Sequence, residues 1–162
     1  MGRVEFITRP RLDELSVLAQ KTLRLRRNYN FHLTDDDACH RLLNFMEPAS
    51  YIQPHRHLDI HKDEALVAIR GKMGVVIYDE AGNIEEKAIL SPDGEIVMVD
   101  IPHGKFHTLL SLQAGSVFFE AKAGPYRPLI AQEKAPWAPE EGQEAAGSYL
   151  VSLRRLFEPP QR

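Results

Sequence analysis

Cysteine is nearly absent from this chain of 162 residues, in which Cys39 stands alone. A single cysteine excludes an intramolecular disulfide and a cysteine-rich zinc site, so a tightly held metal ion would need His, Asp or Glu ligands. An excess of positive charge is missing too, because the formal net charge is -3. Proteins that bind a phosphate backbone are usually basic, and we therefore expect no nucleic-acid partner.

Long apolar runs are also missing. No stretch approaches the length of a membrane span, and the amino-terminal segment MGRVEFITRPRLDELSV has neither an uninterrupted apolar core nor a small-residue cleavage site. We therefore expect a cytoplasmic protein with no membrane partner. What is present suits folding, since 43% of residues are hydrophobic and 27% are charged. The length predicts one domain over residues 1–162.

Residues 1–48 are expected to form an amino-terminal extension of helix and strand. Apolar residues at helical spacing predict an amphipathic helix over 11–23, and the alternation in RRNYNFHL predicts a short strand after it. Thr34 followed by three aspartates is typical of a helix start, so a second short helix should run to about Phe45. Cys39 would then be a small helical residue facing the core.

Residues 49–123 have the pattern of a β domain, because short apolar segments alternate with turn residues. Strands are predicted near 50–55, 64–70, 73–79, 84–90, 95–101, 105–112 and 116–122. Seven short strands at this spacing indicate a sandwich or a barrel. The remaining segment, 124–162, is rich in proline and should finish in a helix with Leu150 and Leu153 on its apolar stripe.

The stretch PHRHLDIHKDE at residues 54–64 holds three of the seven histidines. His55 and His57 are two positions apart, so they would share one face of an extended chain. Much later, the turn-forming stretch PHGKFH delivers His107 into a strand. With Glu64, these imidazoles would form a ligand set suited to Fe, Mn, Ni, Cu or Zn. The alternative is a polar loop and a core histidine bonded to the backbone.

These motifs resemble those of a known family. His-x-His, then Glu-x6-Gly from Glu64 to Gly71, then Pro-x-Gly-x-x-His from Pro102 to His107 resemble the two metal motifs of the cupin superfamily. More narrowly, SYIQPHRHLDIHKDE, FEAKAGPYRP, APWAPEEG and NYNFH resemble the WbuC-type cupin-fold metalloproteins, which are found near genes for bacterial surface polysaccharide. The resemblance implies a mainly β, cupin-type jelly-roll barrel (double-stranded β-helix) over 49–123 with short helices at both ends. It also implies one divalent transition metal (Zn, Fe, Mn or Ni), with ligands His55, His57, Glu64 and His107.

The spacing leaves the fourth ligand open. The superfamily usually places its acid four or five positions after the second histidine, where His61 stands, whereas Glu64 lies seven positions after His57. Either the loop is longer and Glu64 remains the ligand, or His61 replaces it in a four-histidine set. Glu64 is favoured because its spacing to Gly71 is retained and because strand parity puts it on one face with Leu66.

The substrate and reaction follow only from the resemblance. It implies a small carbohydrate-like or nucleotide-sugar-related substrate in bacterial surface polysaccharide (O-antigen) biosynthesis, handled by metal Lewis-acid chemistry as in an isomerase or epimerase. The alternatives are an Fe(II) dioxygenase and a non-catalytic, metal-dependent small-ligand binding protein. A homodimer is also expected. No residue is singled out as catalytic, although Asp100 and Glu120 are acid/base candidates beside His32 and Tyr51. The candidate substrate pocket comprises Asn28, Asn30, His32, Tyr51, Lys122 and Tyr126.

Overall fold

The computed structural model describes residues 4–159, which form eight strands, two α-helices and a short 3-10 helix. The first three and last three residues of the predicted domain lie outside the described residues. The helices are α1 (Arg9–Gln20), the 3-10 helix (Ala131–Glu133) and α2 (Ala145–Arg155). The strands are β1 (Arg26–Asn30), β2 (Cys39–Met46), β3 (Glu64–Arg70), β4 (Met73–Tyr78), β5 (Ile84–Leu90), β6 (Met98–Ile101), β7 (Phe106–Ser111) and β8 (Ser116–Ala123). None of the helices in residues 4–159 is long and apolar enough to cross a bilayer.

The strands form two antiparallel sheets that face each other. One sheet has five strands in the order β1-β2-β8-β3-β6, and the other has three in the order β5-β4-β7. Apolar side chains from both sheets meet between them, among them Leu66 and Phe118 from the first sheet and Val75 and Leu109 from the second. This shared layer joins the two sheets into one barrel.

Each helix covers the outer face of one sheet. Leu12 and Leu15 of α1 pack on Leu43 and Phe45, which alternate along β2 with residues that face the barrel interior. On the opposite side, the apolar stripe of α2 packs on the outer side chains of β4 and β7, in a cluster that includes Val76, Leu110, Leu150 and Leu153. Trp137 joins this cluster and lies 4.7 Å from the ring of Tyr78, so the Pro-rich segment is also fixed to the barrel.

Most of the predicted elements are confirmed. Both terminal helices form, and strands occur at six of the seven predicted positions. The predicted strand at 50–55 is absent from the described residues as a regular strand, and only single bridges form there, at His55. The barrel also begins earlier than residue 49, because β1 and β2 belong to the five-stranded sheet.

The predicted helix from Thr34 to about Phe45 is wrong. The carboxylate of Asp37 accepts hydrogen bonds from the Thr34 hydroxyl and the Leu33 amide, which closes a turn instead of opening a helix. The chain then enters β2, where alternating burial satisfies both faces of the sheet. Cys39 is consequently exposed at the start of a strand and does not face the core.

Candidate metal centre

Two backbone contacts bring the two histidine motifs together. The amide of His55 donates to the carbonyl of His107 at 3.0 Å, and the amide of His107 donates back at 2.8 Å. In the turn before β7, the amide of Gly104 donates to the carbonyl of His57 at 2.7 Å. Gly104 adopts a φ of 81°, a left-handed conformation that glycine tolerates best. The rings of His55 and His107 therefore lie 4.7 Å apart, although 52 positions separate them.

Glu64 reaches the same place from the five-stranded sheet. As the first residue of β3 it pairs in register with Lys122 of β8 and Ile101 of β6, and its side chain points into the barrel. One carboxylate oxygen lies 3.0 Å from Nε2 of His57, and the other lies 3.0 Å from Nε2 of His107. The structure thus gathers all four residues of the expected ligand set.

His61 lies outside this group. Possible ligand atoms of His55, His57 and Glu64 lie within 4.8 Å of one another, and His107 contacts the same carboxylate. The side chain of His61 is instead exposed, in a loop where its backbone amide donates to the carboxylate of Asp59. The structure therefore brings Glu64, and not His61, beside the three other candidate ligands.

The protonation of two imidazoles fits a cation. Nδ1 of His55 lies 3.0 Å from the carbonyl oxygen of Gln53, and Nδ1 of His107 lies 2.9 Å from that of Lys105. A carbonyl oxygen only accepts, so each Nδ1 carries the hydrogen and each Nε2 presents a lone pair. Nε2 of His107 is buried without a hydrogen-bond partner among the described residues, although Glu64 is 3.0 Å away. A metal ion between these donors would satisfy both, and carbonyl-fixed imidazoles are usual around bound metals.

Burial favours the neutral form of His55 that a metal requires. Desolvation, helped by the neighbouring His107, lowers the pKa of His55 to about 3. Burial opposes the charge of Glu64, but the imidazoles of His107 and His57, together with Lys122, hold the pKa of that carboxyl well below its usual value. Protons therefore compete weakly with a metal for His55 and Glu64 at neutral pH.

The shift of His55 predicts acid sensitivity of the metal-free protein. Unfolded His55 takes up a proton below its ordinary pKa of 6.5, whereas the folded form resists protonation down to about 3. The shift therefore has no effect on the free energy of unfolding above pH 6.5, and it lowers that free energy as the pH falls toward 3, by up to about 1.4 kcal/mol per pH unit. We expect the free energy of unfolding, measured with urea at several pH values, to fall less steeply with decreasing pH for His55→Ala than for the unmodified chain. Parallel slopes would contradict the assignment.

A buried ion triad adjoins the site. Nζ of Lys122 lies 2.7 Å from Glu64 and 2.6 Å from Glu120, and the amide of Asn44 donates to the second oxygen of Glu120 at 2.7 Å. Burial disfavours the ammonium, yet the carboxylates of Glu120 and Glu64 raise the pKa of Lys122. Two carboxylates against one ammonium leave a net charge of -1 beside the histidines, which is favourable for a divalent cation.

A cavity of about 700 Å³ extends from the metal ligands to the barrel mouth. Five of the six residues proposed for the substrate pocket line it, namely Asn28, Asn30, His32, Lys122 and Tyr126. Tyr51 does not, because its ring packs in the outer cluster under α2 and its hydroxyl donates to the carbonyl of Pro139. Asp100 is also misassigned, since it is exposed and its neighbour Ile101 is the residue paired with Glu64.

Several residues of the cavity wall were not anticipated. Asn44 follows from the inward parity of β2, which the predicted helix obscured. His40 lies on the same strand, and its ring stacks on that of His32 with centroids 4.0 Å apart. Arg24 and Arg26 line the cavity, and both donate hydrogen bonds to Glu141, which lies more than a hundred positions later in the sequence. Only the alternation of RRNYN could have indicated the inward position of Arg26.

Comparison with known proteins gives a family match and a fold. A family model described as "Domain of unknown function (DUF6016)" matches residues 7–90. No curated protein matches the chain. The crystal structure of TT1209 from Thermus thermophilus is similar with a TM-score of 0.53 and 17% identity, covering 76% of this chain and 97% of that one.

Two further structures are similar at lower scores. KdgF from Halomonas sp. has a TM-score of 0.49 and 20% identity, covering 63% of this chain and 82% of that one. A variant of the oxalate decarboxylase OxdC from Bacillus subtilis has a TM-score of 0.48 and 19% identity. The match covers 63% of this chain and 26% of OxdC, so it spans about a quarter of that protein. With the sheet order, the TT1209 likeness confirms the cupin-type jelly-roll fold.

Proposed function

The chain belongs to the family described as domain of unknown function DUF6016 and folds as a cupin barrel, and we propose that it has a metal-dependent function on a small molecule. His55, His57, Glu64 and His107 hold one divalent transition metal, of which Zn, Fe, Mn and Ni suit the donors. The ligand is a small carbohydrate-like or nucleotide-sugar-related molecule bound in the cavity. The supporting observation is the convergence of Nε2 of His57 and Nε2 of His107 on the Glu64 carboxylate. A possible ligand atom of His55 lies within 4.8 Å of those of His57 and Glu64, and Nδ1 of His55 and of His107 is each held by a carbonyl.

The cavity suits a polyhydroxylated ligand. Its volume of about 700 Å³ is ample for a sugar derivative. Its walls offer amides from Asn28, Asn30 and Asn44, which can both donate to and accept from hydroxyl groups. The apolar side chains of Leu109 and Phe118 line the same space and limit the access of water. The resemblance to WbuC-type proteins supports a place in surface polysaccharide biosynthesis.

The metal ligands and the side chains of the cavity wall have different proposed roles. A divalent metal held by these four residues would supply Lewis acidity toward a carbonyl or hydroxyl group of the ligand. Lys122 holds Glu64 by one oxygen and thereby orients it toward the histidines. The amides fix the hydroxyl groups of the ligand, and the stacked pair of His32 and His40 is the candidate for moving a proton at the cavity wall. A ferrous ion in the same ligands would suit dioxygenase chemistry.

A binding protein without catalysis is the second candidate. The observation that favours it is that Lys122 pairs both with Glu64, a proposed metal ligand, and with Glu120 beside it, so both carboxylates are committed to ion pairs. These groups are then poorly placed to exchange protons with a ligand. Metal-dependent binding of a sugar without turnover would support this reading.

Metal uptake tests the proposal. Protein purified without chelators should contain about one transition metal ion per chain by elemental analysis, and His55→Ala and Glu64→Ala should lower the affinity at least about a hundredfold. His61→Ala and His103→Ala remove exposed imidazoles near the site and should leave the content unchanged. Equal metal content in all four variants would refute the assigned ligands. A thermal-shift screen of the loaded protein against nucleotide sugars and sugar acids should then identify the ligand class.

A further inference from the structure

A second charged cluster lies at the mouth of the same cavity and is formed by Arg24, Arg26 and Glu141. We propose that Arg24 and Arg26 form a subsite for a carboxylate or phosphate group of the ligand, and that Glu141 occupies this subsite in the free protein. The inference rests on the proposed function, because it assigns an anionic group to the molecule that the cavity binds. It makes Glu141 an internal competitor of the ligand.

The geometry is that of a bound anion. Arg24 donates from Nε and Nη2 to the two oxygens of Glu141 at 2.6 and 2.7 Å, in the fork arrangement that guanidinium groups use for carboxylates and phosphates. Arg26 adds a third bond, from Nη2 at 2.7 Å. Three charge-assisted hydrogen bonds converge on one carboxylate, and an incoming carboxylate or phosphate offers the same acceptors.

Arg26 is held in place without Glu141. Its Nη1 donates to the carbonyl of Tyr51 at 2.9 Å and contacts the hydroxyl of Ser50 at 3.3 Å. Its side chain is only 14% exposed, and burial lowers the pKa of Arg26 despite the opposing effect of Glu141. A buried cation fixed by neutral groups requires an anion, but the backbone contacts make no demand that this anion be Glu141.

The segment that carries Glu141 is lightly attached. Residues 140–144 are all exposed or half-buried, and Gly142 between them adopts a positive φ of 89°. The hydroxyl of Tyr51 anchors the carbonyl of Pro139 before this stretch, and α2 is fixed after it. Glu141 can therefore leave the arginines by a local change in residues 140–144 that keeps the packed core intact.

Charges around the mouth show what this departure would do. The whole cavity wall carries five cations, Arg24, Arg26, Arg27, Lys122 and Lys134, and five anions, Asp35, Glu64, Glu120, Glu140 and Glu141. Glu141 is the acid paired with Arg24 and Arg26, so its withdrawal leaves these two arginines without their carboxylate and gives the wall an excess of one positive charge. An anion arriving at the mouth is then attracted where the free protein is nearly neutral.

The same ligand can reach both sites. Arg26 donates to the backbone carbonyl of Tyr51, and His55, a proposed metal ligand, follows four positions later in the chain. Four residues span at most about 14 Å even when fully extended. A sugar that carries a phosphate or carboxylate at one end could therefore bind the arginines and place a hydroxyl group at the metal centre.

Titration of metal-free protein with inorganic pyrophosphate and, separately, malonate tests the subsite. Chelator and excess salt are removed first, because their anions compete with the probe for the two arginines and screen their charge. If Glu141 fills the subsite nine tenths of the time, Glu141→Gln should bind the preferred probe about tenfold more tightly than the unmodified protein. Glu144→Gln is the matched control, since it removes an equal charge from the same segment. Preference for pyrophosphate or for malonate separates a phosphate from a carboxylate ligand.

Arg24→Ala provides the second arm, alone and combined with Glu141→Gln. It should weaken binding in both backgrounds, with folding checked by circular dichroism at the titration temperature. An equal gain in Glu141→Gln and Glu144→Gln, no gain in Glu141→Gln, or no loss in Arg24→Ala would overturn the subsite. Because the protein is metal-free here, such a failure leaves the metal assignment untouched, and loss of metal uptake leaves this result untouched.

Discussion

Replacement of Lys122 by methionine is expected to destabilise the metal-free protein by about 3–5 kcal/mol. The side chain of Lys122 is 19% exposed, and its ammonium lies between the carboxylates of Glu64 and Glu120, whose side chains are 5% and 10% exposed. Removing it leaves two mutually repelling carboxylates inside the barrel with no cation to offset their desolvation. Urea unfolding at neutral pH, in the absence of divalent ions, measures the loss.

Lys105→Met is the matched control, because Lys105 forms an ion pair of 2.8 Å with Glu85 at the surface. Exposed pairs of this kind contribute about 0–1 kcal/mol. Adding zinc should restore more stability to Lys122→Met than to the unmodified protein, since the variant site is more negative and a ligand that binds only the folded state stabilises it. Similar losses in the two lysine variants would show that the triad is not a buried charge cluster.

Among the glycines in residues 4–159, Gly124 is expected to tolerate alanine least, with a loss of about 3 kcal/mol or more. A Cβ at this position would lie 1.8 Å from the carbonyl oxygen of Asp37 and 2.8 Å from the ring of His40. The amide of Gly124 also donates to the carbonyl of Ala38, so the backbone has little room to retreat. Thermal unfolding followed by circular dichroism measures the effect.

Gly147→Ala serves as the comparison for the same chemical change. Gly147 lies in α2 and a Cβ there meets no atom within 4 Å. Alanine should therefore stabilise the helix by about 1 kcal/mol. If Gly124→Ala unfolded at the same midpoint temperature as the unmodified protein, that result would contradict the close approach of Gly124 to the turn at Asp37.

The strands of the barrel and the inward direction of Glu64 can be predicted from the sequence because both follow from local patterns. Alternation in EALVAIR places Glu64 and Leu66 on one face, and the structure agrees. His55 and His57 are two apart, which aligns them without knowledge of the fold. The missed strand β2 shows the limit of such reasoning, since Thr34 and the aspartates satisfy helix-start rules while Asp37 actually closes a turn.

The parts that could not be predicted depend on contacts between distant residues. Arg24 meets Glu141 across 117 positions, and Asn44 meets Glu120 across 76. Neither pairing leaves a periodicity in a single sequence. Tyr51 lies four positions before His55, but the extended segment turns its ring outward under α2, where it meets Tyr149. Position along the chain indicates proximity and leaves the direction of a side chain undetermined.

The register of β3 against its neighbours ties the proposed metal uptake to correct folding. Glu64 pairs with Lys122 on one side and Ile101 on the other. A slip of one residue in either ladder would turn every side chain of β3 to the opposite face and carry the carboxylate out of the barrel. Only a correctly aligned sheet can then capture the ion with all four ligands. During refolding, the appearance of tight metal binding should therefore coincide with the final alignment of the sheet and should lag behind the recovery of β structure.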